Sequence, residues 1–414
     1  MSRGSAQAPQ RRPAENSGVT PESPETGGKS PPSPDPALAV NAAAMNAPAS
    51  PVMKPWVEGI APYVPGKSAL GSRPVVAKLS SNENPFGASP LAIAAMTAVL
   101  GKTHLYPDPA STALREAIGA LHGLEPERII CGTGSDELIH LVAGAYAGLG
   151  DEVLYVRHGF AVYDIAARRV GATPVIAPDL DYTCDVDAVL AAVTPRTRVV
   201  FLANPNNPTG TIIPASEVRR LHAGLPADCV FALDCAYAEF ATGEYEDGLQ
   251  LARDHANVVA LRTFSKIYGL AAQRIGWAYA QPALIEALHR IRAPFNVPTT
   301  GQAGAVAALA DQAFITMVRE HTLHWRTWLA GEIAALGNAG LRAIPSAANF
   351  VLVEFPESGP CTAAAANEAL LADGIIARYL AVQAMPRCIR ISIGTEAETR
   401  AAAASLRAFV ERAA

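Results

Sequence analysis

Between Arg128 and Ala280 the chain switches repeatedly between short β-branched runs and amphipathic helical stretches. The runs Arg128–Cys131, Val153–Val156, Thr173–Ile176, Val199–Leu202, Val230–Leu233, Val258–Leu261 and Trp277–Ala280 read as strands. Glu137–Tyr146, Tyr163–Val170 and Ser216–Ala223 read as helices among them. Strands that are apolar on both sides must be covered on both faces. The expected fold is therefore α/β, a three-layer, mostly parallel sheet with helices on each side. In such sheets ligands collect at the carboxyl ends of the strands, so those ends are where chemistry is sought.

Around this block the pattern changes. Residues 1–50 hold nine of the 33 prolines and no aromatic residue, so they cannot bury enough surface to offset ordering and are expected to be a disordered tail. An alternative start at Met45 or Met53 would account for the same stretch. Residues 51–90 read as an arm, with Trp56 to Pro65 extended. A large domain is expected over 91–305 and a small α+β domain over 306–414. Ser89-Pro90 has the form of an N-cap followed by a first-turn proline, opening a helix to about Leu100. A second helix carries Leu114, Ile118 and Leu121 on one face. Beyond Pro282 the chain reads as helical to about Leu336. Strands at Phe350–Val353, Gly374–Arg378 and Ile389–Ile393 and helices at Cys361–Ala372 and Ala397–Glu411 follow.

Composition excludes several functions. A net charge of −5 with dispersed basic residues offers nothing to nucleic acid or an anionic membrane. Six cysteines without a C-x-x-C pair read as buried small hydrophobes, not as a disulfide frame or metal site. No apolar run reaches membrane-spanning length and the first residues lack a secretory apolar region, so a cytoplasmic protein is expected.

The strand ends carry polar groups in sequence. After Cys131 comes Gly132-Thr-Gly-Ser-Asp-Glu-Leu138, a turn into a helix whose bare N–H groups suit a phosphate; an ordinary tight turn capped by Ser135 or Asp136 uses the same residues. Phe160 and Tyr163 follow Val156, and Phe160 is fit for stacking on a flat ring or for plain core. Asn204-Pro-Asn-Asn-Pro-Thr-Gly210 is a turn that also offers amide donors to a phenolate-like oxygen. Asp234, then Tyr237, follows Leu233: a carboxylate for a protonated pyridine nitrogen, or a helix cap. Val258–Leu261 leads to Thr263, Ser265 and Lys266, with Arg274 eight residues on. An amine for an aldehyde, beside hydroxyls and an arginine for a phosphate, is the inventory of pyridoxal phosphate. Each feature alone is ambiguous, but their order is the one a single such cofactor requires.

These residues resemble those of fold-type-I pyridoxal-phosphate aminotransferases of class I/II, and within them the histidinol-phosphate aminotransferases. The resemblance runs from about Trp56 to the C-terminus. It rests on Asn82-Glu-Asn-Pro-Phe-Gly-Ala-Ser-Pro90, Tyr106-Pro-Asp108, Gly132–Leu138, Asn204–Gly210, Thr263-Phe-Ser-Lys266 with Arg274, and Arg390-Ile-Ser-Ile-Gly-Thr395. The resemblance implies that Lys266 is the Schiff-base lysine and proton carrier, and that Asp234 pairs with the ring nitrogen. It implies that Asn207 and Tyr237 hold the ring oxygen and that Phe160 stacks on the ring. Gly134, Ser135, Asp136 (through its backbone), Thr263, Ser265 and Arg274 would surround the cofactor phosphate, with Tyr106 reaching it across a homodimer interface. Tyr63, Asn82, Arg378 and Arg390 would contact substrate. The implied reaction exchanges an amino group between histidinol phosphate and 2-oxoglutarate, forming glutamate. Three places depart from the family's pattern: Cys235 where a glutamate is usual, His158-Gly-Phe for a common Pro-Thr-Phe, and Thr133 for a common asparagine. An aromatic amino-acid aminotransferase, a lyase of the threonine-phosphate-decarboxylase type and a non-catalytic ligand sensor share the scaffold and stay open as alternatives.

Overall fold

The computed structural model describes residues 51–413. The expectation of a disordered tail lies outside the described residues.

Fifteen strands occur among the described residues, in chain order β1 (Ala77–Lys78), β2 (Ile129–Gly132), β3 (Glu152–Val156), β4 (Thr173–Ala177), β5 (Asp179–Leu180), β6 (Thr183–Cys184), β7 (Thr197–Ala203), β8 (Val230–Asp234), β9 (Val258–Thr263), β10 (Gly276–Ala280), β11 (Arg342–Ile344), β12 (Phe350–Glu354), β13 (Ile375–Ile376), β14 (Arg378–Tyr379) and β15 (Cys388–Ser392). Seven of them form the central sheet in the order β2-β10-β9-β8-β7-β3-β4. All neighbours run parallel except β10, which is antiparallel to both β2 and β9. These are the seven strands read from the sequence, each within two residues of the expected bounds.

Successive residues of each central strand belong to different cores. On β8, Val230 and Ala232 face one core while Phe231 and Leu233 face the other; β3, β7 and β9 alternate in the same way. One core is closed by Leu138, Ile139, Ala166, Leu284 and Leu288 from the helices Gly134–Tyr146, Val162–Arg169 and Pro282–Ile291. The other is closed by Leu114, Ile118, Val218, Leu221 and Ala305 from Thr112–His122, Ala215–Ala223 and Thr299–Ala310. Each fully buried Leu, Ile or Phe contributes about 1.5–3 kcal/mol, so two-sided burial fixes strand register strongly. The three layers thus follow from the continuous apolar runs.

A four-stranded antiparallel sheet, β11-β12-β15-β14, has its own core of Val351, Val353, Ile389, Ile391, Leu370 and Leu406. The 23-residue helix Gln312–Ala334 spans both regions: Ile315 and Val318 pack in a central-sheet core, Trp325, Leu329 and Ile333 in that of the smaller sheet. No helix among the described residues is long and apolar enough to cross a membrane.

Several expectations need correction. The Trp56 arm begins with a one-turn helix, Pro55–Glu58. The strand read at Gly374–Arg378 is two, because β13 pairs with β1 while β14 pairs with β15. Leu121 is 40% exposed and does not share the buried face of Leu114 and Ile118. Cys184 is only half-buried, whereas the other five cysteines are buried and all six are free thiols. Strands β1, β5, β6 and β11 have two or three residues each, too few for a period to show in sequence. The Ser89 cap is as expected, its hydroxyl accepting from Ala92 N at 3.2 Å.

Candidate active site

A cavity of about 270 Å³ opens where β7, β8 and β9 end, walled on its far side by β14 and β15. Of the sixteen residues singled out from sequence, all but Gly134 and Tyr106 line it.

Lys266 stands on a rigid turn. Phe264 and Ile267 beside it are fully buried, Gly269 N donates to Lys266 O at 3.0 Å, and Asn84 Nδ2 donates to Ile267 O at 2.7 Å. Gly269 sits at φ +69°, and a Cβ there would lie 1.9 Å from the Gly87 carbonyl oxygen, so only glycine closes this turn. Burial, followed by the nearby Arg390, lowers the Lys266 amine to about 8. Its Nζ lies 5.6 Å from the centre of the Tyr237 ring.

Asp234, the last residue of β8, is buried. Both of its recorded donors are neutral: the Tyr163 hydroxyl at 2.8 Å on one oxygen and Ala236 N at 3.2 Å on the other. Burial raises the carboxyl to about 6 against the pull of these bonds. Tyr163 was noted in sequence only as a neighbour of Phe160. The structure makes it the support of Asp234, fully buried and stacked on Phe201 with ring centres 4.8 Å apart.

Tyr237 is buried, and its hydroxyl accepts from Asn82 Nδ2 at 2.8 Å, leaving its own proton to donate. Burial pushes that phenol up to about 12, so it stays neutral. Asn82 is fixed in turn by Ser392, whose hydroxyl donates to Asn82 Oδ1 at 3.0 Å and accepts from Asn82 N at 2.8 Å. Asn82 therefore orients Tyr237; its amide oxygen and one amide hydrogen are already engaged inside the protein. Of the three asparagines after β7, only Asn207 lines the cavity. Asn204 exchanges bonds with Ile213, and Asn206 Nδ2 donates to His158 O and Thr209 Oγ1, each at 2.8 Å, so these two hold the loop.

At the other end of the cavity, the helix starting at Gly134 meets the turn after β9. Arg274, at φ +52°, aims its guanidinium at Ser265 Oγ (3.4 Å) and at the Asp136 carboxylate (3.0 Å). Thr263 Oγ1 donates to Ser265 Oγ at 3.0 Å. Gly134, at φ +79°, does not line the cavity; a Cβ there would come 2.5 Å from Arg274 Nη2, so its part is to let the two approach. The N-cap is Thr133, not Ser135 or Asp136, and Glu137 reaches back to accept from Thr133 N at 2.6 Å. The first-turn N–H groups, lacking intrahelical acceptors, face an arginine and a serine hydroxyl: a cradle for a phosphate.

Arg378 and Arg390 are direct cross-strand partners on β14 and β15. Both are 7% exposed. Arg390 donates to the Asn207 side chain and to Ser80 O, Arg378 to Val64 O at 2.6 Å. Every acceptor is neutral, and Arg390 Nε is buried without a partner among the described residues. Burial lowers the Arg390 guanidinium to about 10. Two buried like charges placed side by side are unfavourable unless an anion joins them. Phe160 and Tyr63 complete the walls, Tyr63 half exposed. Tyr106 lies outside this cavity, 82% exposed and stacked on Phe295 with centres 4.6 Å apart.

The arrangement leaves three needs unmet by protein groups: a buried carboxylate with neutral partners, a buried amine of lowered basicity, and an anion cradle at a helix start. A pyridoxal-phosphate molecule carries a protonatable ring nitrogen, an aldehyde and a phosphate, and so fits the residues present.

Comparison with known proteins agrees with this chemistry. The family model for aminotransferase class I and II matches residues 74–406. The chain is 58% identical to a histidinol-phosphate aminotransferase of Sphingopyxis alaskensis over 360 residues, 86% of this chain and 96% of that protein. It is 57% identical to that of Zymomonas mobilis over 369 residues, 88% and 99% of the two. The crystal structure of histidinol-phosphate aminotransferase from Sinorhizobium meliloti in complex with pyridoxal-5'-phosphate superposes with a TM-score of 0.81 at 32% identity, covering 89% of this chain and all of that one. A lysine, an aspartate and an arginine pair so arranged, on a chain this similar, have one reading: it is a transaminase that belongs to the class I and II aminotransferases, in their histidinol-phosphate aminotransferase branch.

Proposed function

We propose that the protein binds pyridoxal phosphate in this cavity and exchanges an amino group between L-histidinol phosphate and 2-oxoglutarate, as a cytoplasmic homodimer of the histidine biosynthetic route. The observation that carries the substrate assignment is the cross-strand pair Arg378 and Arg390, buried and bonded only to neutral oxygens. Such a pair calls for an anion, and planar guanidinium forks suit phosphate and carboxylate alike. The two half-reactions present these in turn: the phosphate of histidinol phosphate and the side-chain carboxylate of glutamate.

When bound, the cofactor supplies an aldehyde carbon for amine exchange and an electron-withdrawing ring. Asp234 would hold the proton on the ring nitrogen, and Tyr163 keeps that carboxylate aimed. Tyr237 and Asn207 donate to the ring oxygen: Asn207 Oδ1 is taken by Arg390, which leaves its Nδ2 for this task. Ser265, Arg274 and the N–H groups of the helix start would hold the phosphate, and Phe160 would pack against the ring. Lys266 Nζ, lowered to about 8 by burial, sheds its proton readily enough near neutrality to serve as the base that would hold and move the proton at substrate Cα.

Tyr106 belongs to this reading as a residue that serves the partner's phosphate. Its exposure fits, as does the exposed apolar character of the segment before it: Leu91, Ile93, Leu100 and Leu105 are each more than half exposed. Mixing Tyr106→Ala with Lys266→Ala chains tests it; partial recovery of turnover in mixed dimers is expected, and none if each site is built from one chain. The substrate assignment is tested by glutamate-dependent turnover of imidazole-acetol phosphate, compared with phenylpyruvate. No turnover of the phosphate compound would end it. Overall similarity gives no support to the aromatic-aminotransferase or lyase alternatives.

A further inference from the structure

Gln383 was not singled out in sequence, yet it lines the same cavity as Arg378 and Tyr63. It sits at the end of a 3-10 turn, Ala381–Gln383, between β14 and β15. That turn is firmly held. Leu380 and Met385 on either side are buried in a small cluster with Ile344 and Leu352. Gln383 N and Met385 N both donate to Leu380 O, at 2.9 and 3.2 Å, and Ala384 takes the left-handed conformation at φ +58°. Val382 is turned outward, 66% exposed, while Gln383 is half-buried. Its amide oxygen is buried without a hydrogen-bond partner among the described residues. A buried acceptor with no donor is costly, and one set in the wall of a binding cavity is repaid when ligand supplies the donor.

Resting on the substrate reading above, we infer that Gln383 is a specificity residue whose amide oxygen accepts the imidazole N–H of histidinol phosphate. The chemistry narrows the choice. The substrate's phosphate carries acceptors only and repels a carbonyl oxygen. Its amine is committed to the cofactor. The imidazole N–H is the donor that remains. Arg378 and Gln383 then read the two ends that distinguish this substrate, an anion and a ring N–H, one from β14 and one from the turn that follows it.

The test uses holoenzyme and two amines: histidinol phosphate and its counterpart with phenyl in place of imidazole. Wild type should favour the imidazole compound in kcat/KM by ten-fold or more, since a site with a buried polar group penalises a ligand that leaves it unpaired. In Gln383→Met, of equal length but without the amide, that preference should shrink at least five-fold, while inhibition by inorganic phosphate stays within about two-fold of wild type. Gln383→Leu provides a second variant should the first fail to retain cofactor absorbance. A preference shrinking less than five-fold overturns the inference. Phosphate inhibition weakening in parallel also overturns it, because the amide would then be turned with its N–H toward the anion. No turnover of histidinol phosphate by wild type would sink the substrate reading, and this role with it; turnover with an unaltered preference sinks this role alone.

Discussion

Replacing Arg390 by methionine should abolish turnover and leave stability nearly unchanged, whereas the same change at Arg262 should unfold the protein more readily. The two arginines are almost equally buried, at 7% and 4% exposure. Arg390 is held at about 10 against an ordinary 12.5, which corresponds to roughly 3 kcal/mol set against its charged form. Its bonds to Asn207 and Ser80 O return about 1.5 kcal/mol each. The terms cancel to within about 1 kcal/mol, so a methionine that fills the same space costs little. Arg262 differs because its counter-charges are in the fold. It pairs with Glu239 at 3.4 Å and Asp247 at 3.1 Å, and these outweigh the burial penalty and hold it charged. Arg262→Met strands a carboxylate and should cost on the order of 3–5 kcal/mol, several degrees in melting temperature. Urea and thermal midpoints of the three holoenzymes, measured with turnover, decide the matter. Equal destabilisation by both substitutions would refute the argument that the Arg390 anion comes with the substrate; so would substantial activity in Arg390→Met.

Further outcomes follow from the same geometry. Lys266→Ala should lose the borohydride-reducible yellow chromophore and about a thousand-fold or more in turnover, measured by absorbance and coupled assay. In cofactor-free protein the Lys266 amine sheds its proton near 8 in the fold but near 10.5 when exposed, so the unfolded state binds more protons between those values and stability rises with pH there. Lys266→Met should thus be the more stable at pH 7, with its advantage in urea midpoint narrowing by pH 10; a constant gap would contradict the burial argument. Tyr163→Phe removes one of two donors from Asp234 and should lower kcat about ten-fold with KM little changed, by steady-state kinetics. Gly276→Ala would set a Cβ 2.4 Å from the Gly134 carbonyl carbon and 2.5 Å from Ser135 N, so cofactor dissociation, followed by dialysis and absorbance, should quicken markedly.

The central sheet could be read because its strands are apolar on both sides, a pattern that Val258–Val259–Ala260–Leu261 shows even in isolation. Most of the candidate cofactor residues could be singled out because they stand at or shortly after the end of such a strand. What escaped was whatever depends on contacts far apart in sequence. Nothing near Tyr163 announces Asp234, which lies 71 residues on. Asn82 could be placed near substrate, but its bonds to Tyr237 and Ser392, across 155 and 310 residues, could not be seen. Gln383 occupies a turn with no period and no motif. Two-residue strands such as β13 and β14 are defined by their partners alone, so the division of Gly374–Arg378 between two sheets left no local trace.

The helix Gln312–Ala334 carries a mechanical implication. Its leading half is rooted among side chains that support the lysine's sheet, and its trailing half among those that support the arginines' sheet. With no proline along its length and its lone glycine, Gly331, close to the C-terminal end, it has no built-in joint between those anchorages. It works as a beam that sets the gauge between Lys266 and the Arg378–Arg390 pair, so a bend introduced at its midpoint should detune which chain lengths of substrate span the gap.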